Sequence, residues 1–308
     1  MKMIIIVPAV VLLTACGDST GPNVRLSIPS DDWAAQSGIM GQAVSTAPTV
    51  LVTDGRNKPL AGVTVSFAIT KGGGTVSSST QTTGVTGRAS VQWTLGRRFG
   101  ENELAATVSG LEPVTFSAMA MAPDSGIVVF NLIDPAADTL RQDDTSHPKA
   151  VDLLSLRGEF KRDALVLTAT FAAPVSPQFG APNFLDAYFE FDIDDDATTG
   201  GPGLSLFFGV PSATGIDYAL NVWGADAAVS NRLPNQLPNP VPVIVTFSGN
   251  TVVLSVPMEL LGNDDGNFSI AGVIGVFDRA NDINWATDTF PNSGQLVARP
   301  SFGARSNN

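Results

Sequence analysis

An all-β protein made of two consecutive β-sandwiches, a smaller one and then a larger one, is what the sequence predicts. Short stretches alternate between apolar and polar residues, the two-residue period of a half-buried strand. Clusters of Gly, Pro, Asn, Asp and Ser separate them at close intervals. No stretch after the N-terminal leader holds a helical period for longer than one turn.

The first sixteen residues stand apart. Lys2 precedes Ile4–Leu13, an apolar run too short to cross a bilayer, which takes ~20 residues. Leu13-Thr14-Ala15-Cys16 closes the run, and Cys16 is the only cysteine in the chain. The run has the form of a secretory signal. Its end resembles a bacterial lipobox. The resemblance implies a signal peptide over 1–15 and lipid chains on the Cys16 sulfur and new amino terminus. It therefore implies an exported protein, lipid-anchored at the cell envelope, at the outer membrane or cell surface. Gly17 follows the cysteine, so nothing argues for inner-membrane retention. A single cysteine leaves no internal disulfide and no cysteine-based metal site or nucleophile. The formal charge of −12, one unit more negative without Lys2, disfavours nucleic acid and anionic headgroups as direct partners. It suits a solvated outer surface or divalent cations.

Residues 16–23 are small and turn-rich and read as a flexible tether. Val24–Ile28 is the first expected strand. Val50–Thr53 follows, then a turn at Asp54–Pro59, then Ala61–Ile69 with Val63, Val65 and Phe67 on one face. Lys71-Gly72-Gly73-Gly74 breaks that strand. Thr75–Ser78, Ala89–Leu95, Glu103–Val108 and Val114–Ala118 are further strands, with Trp93 expected in the core. The role of Trp33 is left open. Residues 52–67 (VTDGRNKPLAGVTVSF), Gly72–Val76, Gly84–Ala89 and Gly100–Val108 together resemble the bacterial Ig-like domain of invasins and intimins. Val85-Thr86 stands where that pattern usually has an acidic residue. The resemblance implies an Ig-like domain over 24–121, acting as a rigid spacer without catalysis. Residues 122–126 read as a short linker.

The larger block is expected over 127–302, with a disordered tail at 303–308. Its strands are Ile127–Leu132, Val151–Glu159, Ala164–Phe171, Leu185–Ile193, Gly203–Val210, Ile216–Trp223, Val243–Phe247, Val252–Val256 and Phe268–Phe277. Ser248–Thr251 makes a hairpin turn, and Met258–Gly262 is one helical turn stopped by glycine. Asp152–Gly158, Ala164–Phe171, the acidic strand ending at Thr199-Gly200, Gly215–Tyr218, Val256-Pro257 and Leu260–Gly262 resemble, in that order, the jelly-roll sandwiches of the DOMON and family 9 carbohydrate-binding-module type. That resemblance implies sugar binding in some members and structural calcium.

The sharpest candidate site is Tyr188–Gly200 (YFEFDIDDDATTG). Phe189, Phe191 and Ile193 alternate with Glu190, Asp192 and Asp194, and Asp196 continues the acidic row. Carboxylates converging on one edge repel unless a hard, oxygen-loving cation such as Ca²⁺ neutralises them. Asp192, Asp194 and Asp196, with Asp217 closing over them, are the expected metal ligands, in a structural role. Asp195 is expected to face solvent. The twelve-residue calcium loop of helix–loop–helix proteins does not fit, because Ala197 and Gly203 stand where Gly and Glu are required. The competing reading is a solvated acidic loop. Asp278, Asp282 and Asp288 form a second acidic group, which would approach the first if the two loops share an end of the sandwich; the competing reading is turn residues in a polar loop.

Tyr188, Tyr218, Trp223 and Trp285 are the candidate ligand platform, since aromatic rings stack on sugar faces; core packing is the competing reading. His147, the only histidine, has no nucleophile-elbow sequence around it. No catalytic residue is assigned. The expectation is a non-catalytic binding module for a glycan or surface protein. The alternatives are a glycan hydrolase using acidic-loop carboxylates and a purely structural stalk.

Overall fold

Alternation decides the strands. In Ala164–Phe171 every second side chain is buried, and Leu165, Leu167, Ala169 and Phe171 all face inward. The computed structural model describes residues 23–29, 33, 35–139, 151–196, 198–202, 214–233, 239–262, 264, 267–278, 283–291 and 296–298. The leader with Cys16, the tether up to 22, His147, Asp282, the strand expected at 203–210 and the tail lie outside them.

The first half holds β1 (Arg25–Ser27), β2 (Gln36–Ile39), β3 (Thr49–Thr53), β4 (Thr64–Lys71), β5 (Gly74–Val76), β6 (Thr80–Thr82), β7 (Arg88–Ser90), β8 (Trp93–Leu95), β9 (Gly100–Thr107) and β10 (Val114–Met121). One sheet runs β1-β3-β7 and another β2-β10-β9-β4-β6, with β5 paired to β8. The stretch expected as one strand over 89–95 is two. β7 pairs with β3 and β8 with β5, so the chain changes sheets between them. Strand β2, not foreseen, pairs in parallel with β10. Trp93 is fully buried. Trp33 closes over it at 6.2 Å between centroids and meets Phe116 edge-on at 5.0 Å. Trp33 is thus a core lid, where the sequence left its role open.

The second half holds β11 (Ile127–Ile133), β12 (Leu153–Lys161), β13 (Ala164–Phe171), β14 (Asp186–Asp192), β15 (Gly201–Pro202), β16 (Thr214–Ile216), β17 (Tyr218–Trp223), β18 (Asp226–Asn231), β19 (Val241–Pro242), β20 (Ile244–Ser248), β21 (Thr251–Pro257), β22 (Phe268–Asp278), β23 (Ile283–Phe290) and β24 (Leu296–Ala298). One sheet is ordered β11-β12-β13-β21-β20. The other is β19-β18-β17-β14-β22-β23, with β24 also on β22. Their inner faces meet through Phe160, Phe189, Phe191, Phe268 and Phe290, all buried. The hairpin β20–β21 turns at Gly249, where φ is +60°, and the short helix Met258–Leu261 stops at left-handed Gly262. Phe268–Asp278 is not the last long strand: β23 follows it and takes up Asp288, which sequence reading placed in a loop.

The segment read as a linker is held down. Ala122 is fully buried, and its N–H donates to the Arg162 carbonyl at 2.9 Å. Phe99 of the first half meets Phe160 of the second at 6.3 Å. Among the described residues no sheet mixes strands from the two halves.

Candidate metal and ligand site

Strand β14 lies in the middle of its sheet, between β17 and β22. Its inward residues Ala187, Phe189 and Phe191 are buried, with Phe189 on Phe290 and Phe191 on Phe268. Strand alternation therefore sends Asp186, Tyr188, Glu190 and Asp192 to the outer face. Pairing ends where Asp192 meets Ser269. The chain then turns, with Asp195 at φ +53°.

Asp217 sits between β16 and β17. Its N–H donates to the Phe191 carbonyl at 2.9 Å, and its Oδ2 accepts the Ile193 N–H at 3.0 Å. These bonds draw it against the end of β14. Asp192, Asp194 and Asp217 each bring a carboxylate oxygen within 4.8 Å of the others. Asp192 is 4 % exposed and Asp217 1 %. Each has a buried Oδ1 that receives no hydrogen bond among the described residues. Burial, then the charges of Asp217, Asp194 and Asp195, pushes Asp192 up to about 6. Burial also raises Asp217. Two enclosed carboxylates with orphaned oxygens, and a third at the rim, match the donor set of a hard divalent cation.

Asp196, expected as a fourth ligand, is not among these three. Its Oδ1 accepts the N–H and the hydroxyl of Thr198 at 2.9 and 2.7 Å, which lowers its pKa. It shapes the turn, as Asp does when its side chain bonds the backbone two residues on. Asp194 Oδ1 receives the Asp196 N–H at 2.9 Å and the Thr199 hydroxyl at 3.0 Å, so the loop wraps around it. Asp195 is exposed, as expected, and also accepts the Ser269 hydroxyl at 2.7 Å, which ties the loop to β22.

The aromatic candidates separate. Tyr188 is half-buried, and burial raises its hydroxyl to about 12. Tyr218 packs against the core cluster, and its hydroxyl lies beside Gly262. Trp285 belongs to β23, but its side chain lies outside the described residues. Trp223 is half-buried: Phe184 meets it edge-on at 5.1 Å and Phe179 lies against it at 5.8 Å. Trp223 also lines an open groove of about 630 Å³ with Asn221, Asp226, Ser230, Pro240 and Val243. Sequence reading missed β18, which builds the far side of this groove. Sequence reading assigns Asp226–Ser230 to no element, because Ala-Ala and two polar ends give it only a weak alternation.

Fold and site define an all-β protein of paired sheets carrying an acidic cluster and an aromatic groove in its second half. No family model matches the chain, and no curated protein matches it. Among solved structures it is similar to the D0-D1 domain of intimin, at 13 % identity over 83 % of this chain and 92 % of that one, with a TM-score of 0.26. The Yersinia pseudotuberculosis adhesin InvE gives 14 % identity over 91 % of this chain and 64 % of that one, at 0.32. Invasin, a bacterial integrin-binding protein, gives 13 % over 85 % and 57 %, at 0.25. Likeness at such scores carries no argument by itself, and the all-β class rests on the strands.

Proposed function

We propose that this chain is a lipid-anchored cell-envelope protein whose Ig-like first half is a spacer, and whose second half is a non-catalytic, calcium-stabilised glycan-binding module. The groove at Trp223 carries this reading. A sugar ring offers a C–H face to an aromatic ring and hydroxyls to polar groups around it. Trp223 supplies the ring, and Asn221, Asp226 and Ser230 supply donors and acceptors of both kinds. The volume falls in the range of small-ligand sites.

Ca²⁺ held by Asp192, Asp194 and Asp217 would supply charge neutralisation and pin the loop 193–200 to β14. It serves the scaffold of the same sheet. Use of these carboxylates for glycan hydrolysis is disfavoured by their enclosure, since Asp192 and Asp217 are too buried for a glycosidic oxygen to reach. Anchorage follows from the lipobox resemblance at Cys16.

Immobilised glycans probed with the full chain and with Trp223→Ala test the module. The expected result is at least tenfold weaker binding by the variant with an unchanged circular dichroism spectrum. Equal binding by both proteins, or none by either, sinks the assignment. Fatty-acid labelling lost on Cys16→Ser checks the anchor.

A further inference from the structure

A second group of carboxylates lies away from the first. Asp134 follows β11, Asp138 follows the turn at Ala137, Asp152 precedes β12, and Asp288 lies within β23. Three separate chain segments bring them together. The Asp134 N–H donates to the Leu154 carbonyl at 2.9 Å, and the Ala137 N–H donates to Asp152 Oδ2 at 2.9 Å. From the opposite sheet, Asp288 Oδ2 accepts the Leu153 N–H at 2.8 Å, and the Thr287 hydroxyl donates to the Val151 carbonyl at 2.7 Å. Asp134, Asp138 and Asp288 thereby each place a carboxylate oxygen within 4.8 Å of the other two.

Like charges at such distances need a reason. Asp134 is 5 % exposed and Asp288 1 %. Asp134 Oδ2 is buried and receives no hydrogen bond among the described residues, and the same holds for Asp152 Oδ1. The charges of Asp138 and Asp152 bear on Asp134, and those of Asp134 and Asp138 bear on Asp288. A buried carboxylate oxygen with no donor is costly unless something positive meets it.

We propose that Asp134, Asp138 and Asp288 bind a second divalent cation, Ca²⁺, with Asp152 behind them, and that this ion clamps the two sheets of the second half together at one edge. The donors are all oxygens, which favours Ca²⁺ over zinc. Ligands drawn from a turn, a strand end and a strand interior suit calcium's loose geometry better than magnesium's strict octahedron. Strand β11 is the edge of its sheet and β23 borders the other, so the ion joins two edges. The site is distinct from the first. Asp192 pairs with Ser269 and Asp288 with Ile274, five residues further along β22, or ~17 Å at the rise of a strand.

The experiment is calcium stoichiometry, by equilibrium dialysis of the metal-free full chain against CaCl₂. Wild type is expected to bind two ions per chain. Asp134→Asn and Asp288→Asn should each lose one while keeping the ion that Asp192→Asn removes. Asp138 is less buried, so Asp138→Asn keeps the test valid if the other two fail to fold; it should weaken the same ion at least tenfold. Unchanged stoichiometry and affinity in folded Asp138→Asn overturns the proposal. So does a wild type whose only bound ion disappears with Asp192→Asn. A wild type with one ion that is lost in Asp138→Asn and kept in Asp192→Asn supports this site and overturns the first.

Discussion

The two halves of the chain use the same strand chemistry and differ in the charge they bury. Among the described residues of the first half the buried polar residues are Thr53, Thr83 and Asn102, all neutral, and the buried Trp93 Nε1 has no hydrogen-bond partner. Thr83 accepts the Val63 N–H and donates to the Leu60 carbonyl; Asn102 accepts from Gly96 and donates to the Gly100 carbonyl. In the second half Asp134, Glu159, Glu190, Asp192, Asp217 and Asp288 are all buried. Glu159 has Arg157 at 2.8 Å and Lys161 at 3.5 Å, but Asp134, Asp192 and Asp217 retain orphaned oxygens. A sandwich that only has to hold distance needs packing and satisfied backbone. One that keeps unpaired carboxylates inside is destabilised by them until a ligand arrives. Both groups of carboxylates that could hold an ion lie in the second half.

The largest test of this contrast lies in the first half. Trp93→Ala removes a fully buried indole under Trp33 and should cost about 3–5 kcal/mol. Calorimetry should show the loss in a transition that does not respond to calcium. A calcium-sensitive transition shifting instead would merge the two halves into one cooperative unit. Calcium itself comes next. At a hundredfold excess over Kd, each site should add about 2.7 kcal/mol to the second half, and chelator should remove it. Equal shifts in both halves would break the comparison.

A smaller effect concerns Asp186, away from both clusters. Burial raises its pKa to about 6 from the usual 3.8. The folded state therefore holds its proton more tightly, so this contribution is full below about pH 4 and is lost as pH rises through 6. Asp186→Asn should flatten that decline and stabilise the protein at pH 7 by on the order of 1–3 kcal/mol. A steeper decline would show that an unseen donor holds the carboxylate charged. Last, Lys71 pairs with Glu101 at 2.7 Å on the open surface of the first half. Lys71→Ala should leave unfolding unchanged within error, since solvent screens such pairs. A clear loss would mean that electrostatics support the first half too.

Alternation along single segments determined the all-β class, most strand positions and the inward set Phe189 and Phe191, because a two-residue period is local and needs no partner to be read. The same local logic singled out the acidic row from Asp192. What it did not hold was which carboxylates meet. Asp196 lies two residues beyond Asp194, yet a threonine hydroxyl takes it, while Asp217 reaches the cluster because its backbone hydrogen-bonds to Phe191. Asp288 joins Asp134 through the closing of two sheets, across more than half the second block. Strand pairing between distant segments is decided by register and by the packing of two faces. Those are properties of the assembled sandwich, and only the tertiary structure contains them.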